Sequence, residues 1–244
     1  VRVGATTYNY QVANTGSTGP SLRGAIQTTV NGANLSDARL SGGGVTASND
    51  NTGAPGSNTG NLGVTFTAAN AGALAPMSGQ VLNLTSNFSN IADQKLNIVL
   101  ASGAAAYNAA VGQATSPVQV ANQRVGGGNT ATVAIGNTAA PGAFSEDLNV
   151  AVGGSSAGIL GSGAINGRQA GASSGGGAIN VGVDTSTSGA KTGTVTLNYQ
   201  TAGAVNGVAN GLGTASVGSQ TVNVNGNVYQ AAAGALQSVP LNFG

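Results

Sequence analysis

The feature that most limits what this chain can fold into is an internal repeat. "RVG" at Arg2–Gly4 returns at Arg124–Gly126, and "YQVANT" at 10–15 is matched by "VAIGNT" at 133–138. Leu22 and Ile26 match Phe144 and Leu148, "NLGV" at 61–64 matches "NVGV" at 180–183, and "SGQVLNL" at 78–84 matches "TGTVTLN" at 192–198. "QKLNI" at 94–98 answers to "QTVNV" at 220–224, and Tyr107 to Tyr229. The order is preserved throughout. The spacing is 122 or 123 residues near the ends and shrinks to about 114 in the middle, so the copies differ in loop length. Self-similarity of this kind means that one structural unit is made twice. The fold must be one that roughly 120 residues can build alone, which is an ordinary domain size.

Each copy reads as short strands. Tyr8, Tyr10 and Val12 alternate with Thr7, Asn9 and Gln11, and Leu62, Val64 and Phe66 alternate with Asn61, Gly63 and Thr65. Ile179, Val181 and Val183 do the same in the second copy, as do Val195, Leu197 and Tyr199. Leu96 and Ile98 correspond to Val222 and Val224, and Val64 is matched with Val183. A period of two over five to seven residues marks a strand with one buried face. Asn-Gly pairs at 31–32, 166–167, 206–207, 210–211 and 225–226 suit the positive φ of tight hairpin turns. Helical periodicity is weak; its best candidates are "GAAAYNAAV" at 103–111 and "FSEDLNV" at 144–150.

The core must be aliphatic, because 40% of residues are hydrophobic and only 4% aromatic. Only 5% are charged, against about 25% in ordinary domains. Low charge with this hydrophobicity is not the signature of a disordered chain. The expectation is an all-β protein of two tandem antiparallel β-sandwich domains. Residues 1–115 form the first, with an incomplete first strand, and 116–235 the second. Residues 236–244 are then a C-terminal strand belonging to the next repeat or subunit.

"LNFG", "VRVG", a strand, "ANTG", a "GxL" segment and a late "SGTVTLNY"-type strand resemble the Ig-like repeats of large bacterial surface proteins. These are the repeats called choice-of-anchor D domains, related to the ASPM–SPD-2–Hydin type. The resemblance covers nearly the whole chain. It implies that the two units are two tandem Ig-like antiparallel β-sandwich domains of seven or eight strands each, and it implies secretion and a structural or adhesive role, with no catalytic residues to carry over.

The residue inventory removes several functions. There is no cysteine and no histidine, so thiolate sites and imidazole bases are missing. A net charge of +1 argues against nucleic acid, where affinity rests on many contacts to phosphate. No apolar run approaches the roughly 20 residues that a membrane-spanning helix needs. "GASSG" at 171–175 has the form of a nucleophile elbow, but Ser173 has no histidine to take its proton. "SGAKTG" at 188–193 lacks the phosphate-loop spacing, and "GSGAIN" at 161–166 lacks the third glycine of a dinucleotide loop. An Asp/Asn-rich stretch at Asn49–Asn51 offers oxygen ligands for calcium, though turn chemistry explains it as well. The sequons at Asn34, Asn83 and Asn87 are unremarkable in a chain this rich in Asn, Ser and Thr. No catalytic residue, metal site or cofactor is expected, and the protein is read as a non-enzyme.

The two ends carry the positive expectation. "VPLNFG" at 239–244 aligns with "SPVQVA" at 116–121, which puts Leu241 on Val118 and Phe243 on Val120. The chain is thus expected to end on the opening of a further repeat. It begins without methionine, at a position that continues the same strand, so a portion of something longer is expected. The expected assembly interface is Val1, Arg2 and Val3 on one side and Val239, Pro240, Leu241, Asn242 and Phe243 on the other. The partners are copies of the chain, head to tail, either as a covalent tandem or as subunits that share a strand. The function expected is a structural repeat unit of an extracellular bacterial filament, stalk or surface layer. The alternative is an adhesin module that binds a glycan or protein through its loops.

Overall fold

A computed structural model of the protein describes residues 1–10, 14–19, 24–28, 32–42, 44–45, 62–87, 89–90, 92–235 and 243. Every regular element among them is a β-strand. The two stretches with the best helical pattern are not helices: Ala105–Ala106 is a short strand, and Leu148 opens a long one. Alanine has helix propensity, but a sheet edge overrides it in this context.

The chain divides into two compact units, Val1–Asn108 and Ala109–Gly244. In unit 1 the strands are β1 (Gly4–Tyr10), β2 (Gly24–Gln27), β3 (Leu40–Gly42), β4 (Gly44–Val45), β5 (Leu62–Ala68), β6 (Gly72–Ala73), β7 (Met77–Ser86), β8 (Gln94–Leu100) and β9 (Ala105–Ala106). They form sheets in the orders β1-β5-β3 and β4-β2-β7-β8, with β6 paired to β9.

Unit 2 contains β10 (Gly112–Ala114), β11 (Val118–Gln119), β12 (Gln123–Arg124), β13 (Thr130–Val133), β14 (Ile135–Asn137), β15 (Leu148–Ser155), β16 (Ile159–Arg168), β17 (Gly177–Val183), β18 (Gly189–Thr201), β19 (Ala204–Val205), β20 (Val208–Ala209) and β21 (Ala215–Tyr229). Its main sheet runs β11-β21-β18-β15-β16-β17-β13, with β12 also on β21. Small pairs β10-β14 and β19-β20 complete it. Chain 109–115 thus belongs with the second unit, through the pairing of Gly112–Ala114 with Ile135–Asn137.

The ladders of unit 1 recur in unit 2. Leu82 faces Leu96 and Gln80 faces Ile98, as Val195 faces Val222 and Gly193 faces Val224. Leu40 faces Phe66 and Gly42 faces Val64, as Ile159 faces Val183 and Gly161 faces Val181. Ala25 faces Val45, as Ala151 faces Ala164. Strands β3 and β4 therefore correspond to successive parts of β16.

This pairing corrects three of the sequence matches. "QKLNI" and "QTVNV" stand as aligned. "SGQVLNL" and "TGTVTLN" must slip by one residue, so that Leu82, not Val81, takes the place of Val195. Leu82 and Val195 are both fully buried. Val64 takes the place of Val181, not Val183, although all three are buried. Ile26, which faces Leu84, takes the place of Val152, which faces Leu197, and not that of Leu148.

The turn signals are mixed. Asn206-Gly207 joins β19 and β20 with φ of 51° and 80°, a two-residue hairpin that needs positive φ at both positions. Asn166-Gly167 and Asn225-Gly226 instead lie inside β16 and β21.

Candidate assembly groove

In unit 2 the lead-in segment lies parallel to the last strand. Val118 pairs with Val224 and Gln119 with Asn225; further on, Gln123 pairs with Val228 and Arg124 with Tyr229. The Val120 amide donates to the Asn225 carbonyl at 2.8 Å, and the Val125 amide to the Tyr229 carbonyl at 2.9 Å. Val118 and Val120 are buried in one continuous core with Val133, Val181, Val183 and Val224. Gly226 makes room for this approach. A Cβ there would meet a Val183 methyl carbon at 3.0 Å and the Val120 Cβ at 3.4 Å, so a larger residue would press on the lead-in segment.

Unit 1 repeats the second half of this arrangement. Arg2 bridges in parallel to Tyr107, and the Val3 amide donates to the Tyr107 carbonyl at 2.9 Å. The Tyr107 amide donates to the Val1 carbonyl at 3.1 Å, and the Val1 ammonium to the Ala105 carbonyl at 3.1 Å. Arg2 and Arg124 thus hold equivalent ladder positions, as do Tyr107 and Tyr229.

The first half has no counterpart among the described residues. Strand β8 corresponds to the part of β21 that carries β11, yet among the described residues the only strand beside it is β7. Next to that free edge lies a pocket of about 260 Å³, walled by Tyr10, Val64, Phe66, Met77, Ile98 and Leu100, with Val1 and Leu40 also on its lining. Among the described residues, unit 2 has one core cluster. The described residues of unit 1 form two, one built on Ile26, Val64, Leu82 and Leu84, the other on Leu40, Phe66, Ala68, Met77 and Ala106, with Leu35 and Ile98 packed against both. The pocket draws its walls from both. Dispersion contacts fall off steeply across a gap, so side chains lining such a space forgo packing on one side.

The expected interface residues fall in three places. Val1 is half-buried at the pocket, and Arg2 and Val3 lie on the Tyr107 ladder. Val239, Pro240, Leu241 and Asn242 lie outside the described residues. Phe243 is 88% exposed, far beyond the usual state of a phenylalanine side chain.

The polar residues with chemical potential serve as internal pins. Glu146 and Asp147 are both fully buried. Asp147 accepts the Asn206 amide at 3.1 Å and the Gly207 amide at 2.7 Å, and so holds the β19-β20 turn. Glu146 accepts the Asn210 side-chain amide at 2.6 Å and the Thr201 hydroxyl. Arg168 is buried; its guanidinium donates to the carbonyls of Gly175, Gly177 and Ile135, and burial lowers its pKa. In unit 1, Arg39 donates to Asp37 through Nε at 2.9 Å and Nη2 at 2.7 Å, holding the Asp37 carboxyl down at about 2.

Ser173 is exposed beside a shallow polar depression with Thr115, Ser116 and Thr138. Asn49–Asn51 lies outside the described residues, and among the described residues no three acidic, histidine or cysteine side chains cluster. Of the sequons, Asn83 is buried in β7. Among the described residues no helix is long and apolar enough to cross a membrane. In comparison with known proteins, the chain matches no family model and no curated protein.

Proposed function

We propose that the chain is a structural repeat unit of an extracellular filament, stalk or surface layer, and that successive units join head to tail by strand sharing. The observation that carries this reading is the segment Val118–Arg124. It lies along the last strand of unit 2, and a segment of the same pattern, Pro240–Phe243, recurs at 239–244. A segment that closes one repeat is well suited to close another. Each unit is read as an Ig-type sandwich. The all-β architecture and the recurrence of the unit 1 ladders in unit 2 support this. The extracellular place follows from the resemblance to surface-protein repeats.

Low charge supports the same reading. Proteins that stay monomeric commonly guard their sheet edges with lysine and proline. This chain has seven Lys and Arg residues in all. The test is the mass of the purified chain as its concentration rises, read by light scattering after gel filtration and by electron microscopy. Linear oligomers are expected from residues 1–244 and monomers from a chain that stops at Ala235. Monomers from both at high concentration would refute strand sharing between separate chains.

A further inference from the structure

We propose that the free edge of β8 is the acceptor site, and that its occupant is residues 239–243 of a second copy of this chain. The occupant runs parallel to β8, with Leu241 opposite Ile98 and the Phe243 side chain in the pocket between the two core clusters of unit 1. The proposal rests on the head-to-tail reading and gives it an address, a direction and a register.

The register comes from the filled version of the same groove. In unit 2, Val118 faces Val224 and Gln119 faces Asn225, in parallel. The β7-β8 and β18-β21 ladders equate Ile98 with Val224, and so Val99 with Asn225. Leu241 stands in the sequence where Val118 does, and Phe243 where Val120 does. The Phe243 amide therefore takes the place of the Val120 amide and donates to the Val99 carbonyl.

Size points the same way. The Val120 site is filled by a valine, whereas the corresponding space in unit 1 is an open pocket of about 260 Å³ with aromatic and thioether walls. The segment 239–243 offers the larger phenylalanine at that position. Phenylalanine rings and methionine sulfur make favourable contacts at ring edges. In place, the ring would touch Val64 of one cluster and Phe66 and Met77 of the other, adding to the contacts that Leu35 and Ile98 make with both. The segment carries no charge, so no ionised side chain is desolvated on entering.

The absence of cysteine makes a disulfide test clean. Neighbouring Cα atoms of paired strands lie within the span that a disulfide bridges. Asn242→Cys and Val99→Cys are placed in separate full-length chains that carry tags of different size, mixed and oxidised mildly. Val99 is 67% exposed, so its replacement leaves the core intact. A mixed dimer is expected in at least tenfold excess over the dimer formed between Asn242→Cys and Asn9→Cys, which sits on the open β1 edge. Adding Phe243→Asp to the donor chain should reduce the mixed dimer at least tenfold. Assembly with cross-links mainly to Asn9→Cys overturns the groove assignment and leaves head-to-tail assembly standing. A chain carrying both Asn242→Cys and Val99→Cys that closes on itself as a monomer also overturns it. If the native chain shows no association and no mixed dimer forms, the groove assignment falls together with the head-to-tail reading.

Discussion

Val120→Ala isolates what the lead-in segment contributes where it is already in place. The side chain is fully buried, while the hydrogen bond from its amide to Asn225 is made by the backbone and survives the substitution. The change removes two methyl groups from the core. At about 0.8 kcal/mol per buried carbon, the transfer loss is about 1.6 kcal/mol. Incomplete collapse adds about 24 cal/mol per Å³ of residual cavity, or about 0.7 kcal/mol for a space of ~30 Å³. Unit 2 should therefore lose about 2 kcal/mol, a fall in Tm of roughly 5–10 °C for a domain of this size. Urea denaturation followed by far-ultraviolet circular dichroism gives the free energy, and calorimetry the Tm. Val118→Ala should cost no more, because Val118 retains 9% exposure. A loss below about 0.5 kcal/mol for Val120→Ala would mean that the segment is laid on the unit rather than built into it. The reasoning that extends its role to Phe243 would then fail with it.

Leu82→Ala and Val195→Ala remove equivalent, fully buried side chains; denaturation should show unit 1 losing about 2–5 kcal/mol in the first and unit 2 about 1–3 kcal/mol in the second. Arg168→Met keeps much of the buried stem but leaves the carbonyls of Gly175 and Gly177 short of a donor, and should cost about 2–4 kcal/mol in the same measurement. Asp37→Asn tests a pH-linked contribution. The folded carboxyl titrates at about 2 because Arg39 holds it, below an ordinary value near 3.8. The difference in stability between native chain and variant should be full above about pH 4 and fade as the pH falls through about 2. It should stay within about 1 kcal/mol, as for a partly exposed pair.

The all-β character was legible because alternation survives in strands such as 62–68 and 94–100, and because the repeat offers each pattern twice. Register was legible only where side chains were distinctive. "QKLNI" and "QTVNV" share a glutamine, an asparagine and two apolar positions, and their ladders agree with the alignment. "SGQVLNL" and "TGTVTLN" share small and polar residues common throughout the chain, and the alignment paired the wrong valine. A slip of one residue moves a strand's apolar set to the other face, so Val81 is half-buried where Leu82 is fully buried. The Val64 match slipped by two residues, which keeps the face and so raises no alarm in the pattern. The buried acids gave no signal either, since an adjacent Glu-Asp pair reads as a surface feature until a turn is found hanging from it.

The groove was half legible. The sequence showed that the chain's last residues resemble a first strand, but not where a first strand lies. That needed the parallel ladder on β21, because parallel pairing between segments so far apart leaves no local pattern. Once the ladder is known, the low charge takes on a structural meaning. Strand β8 carries Lys95 but no proline. Its Val99 is 67% exposed beside an apolar pocket. An edge of this kind is a template for any strand that reaches it, and a chain with 5% charge has little else to turn strangers away. On the proposed head-to-tail reading, selection among occupants comes from shape. A parallel approach, a proline to set its start and a ring sized for the pocket discriminate more sharply than the backbone bonds, which any strand can make. Phe243→Ala should therefore weaken association while the competing β1 edge gains relative use, a shift that cross-linking to Asn9→Cys would register. If Phe243→Ala leaves the ratio of the two cross-links unchanged, the pocket does not choose the occupant, and specificity must lie elsewhere in the segment.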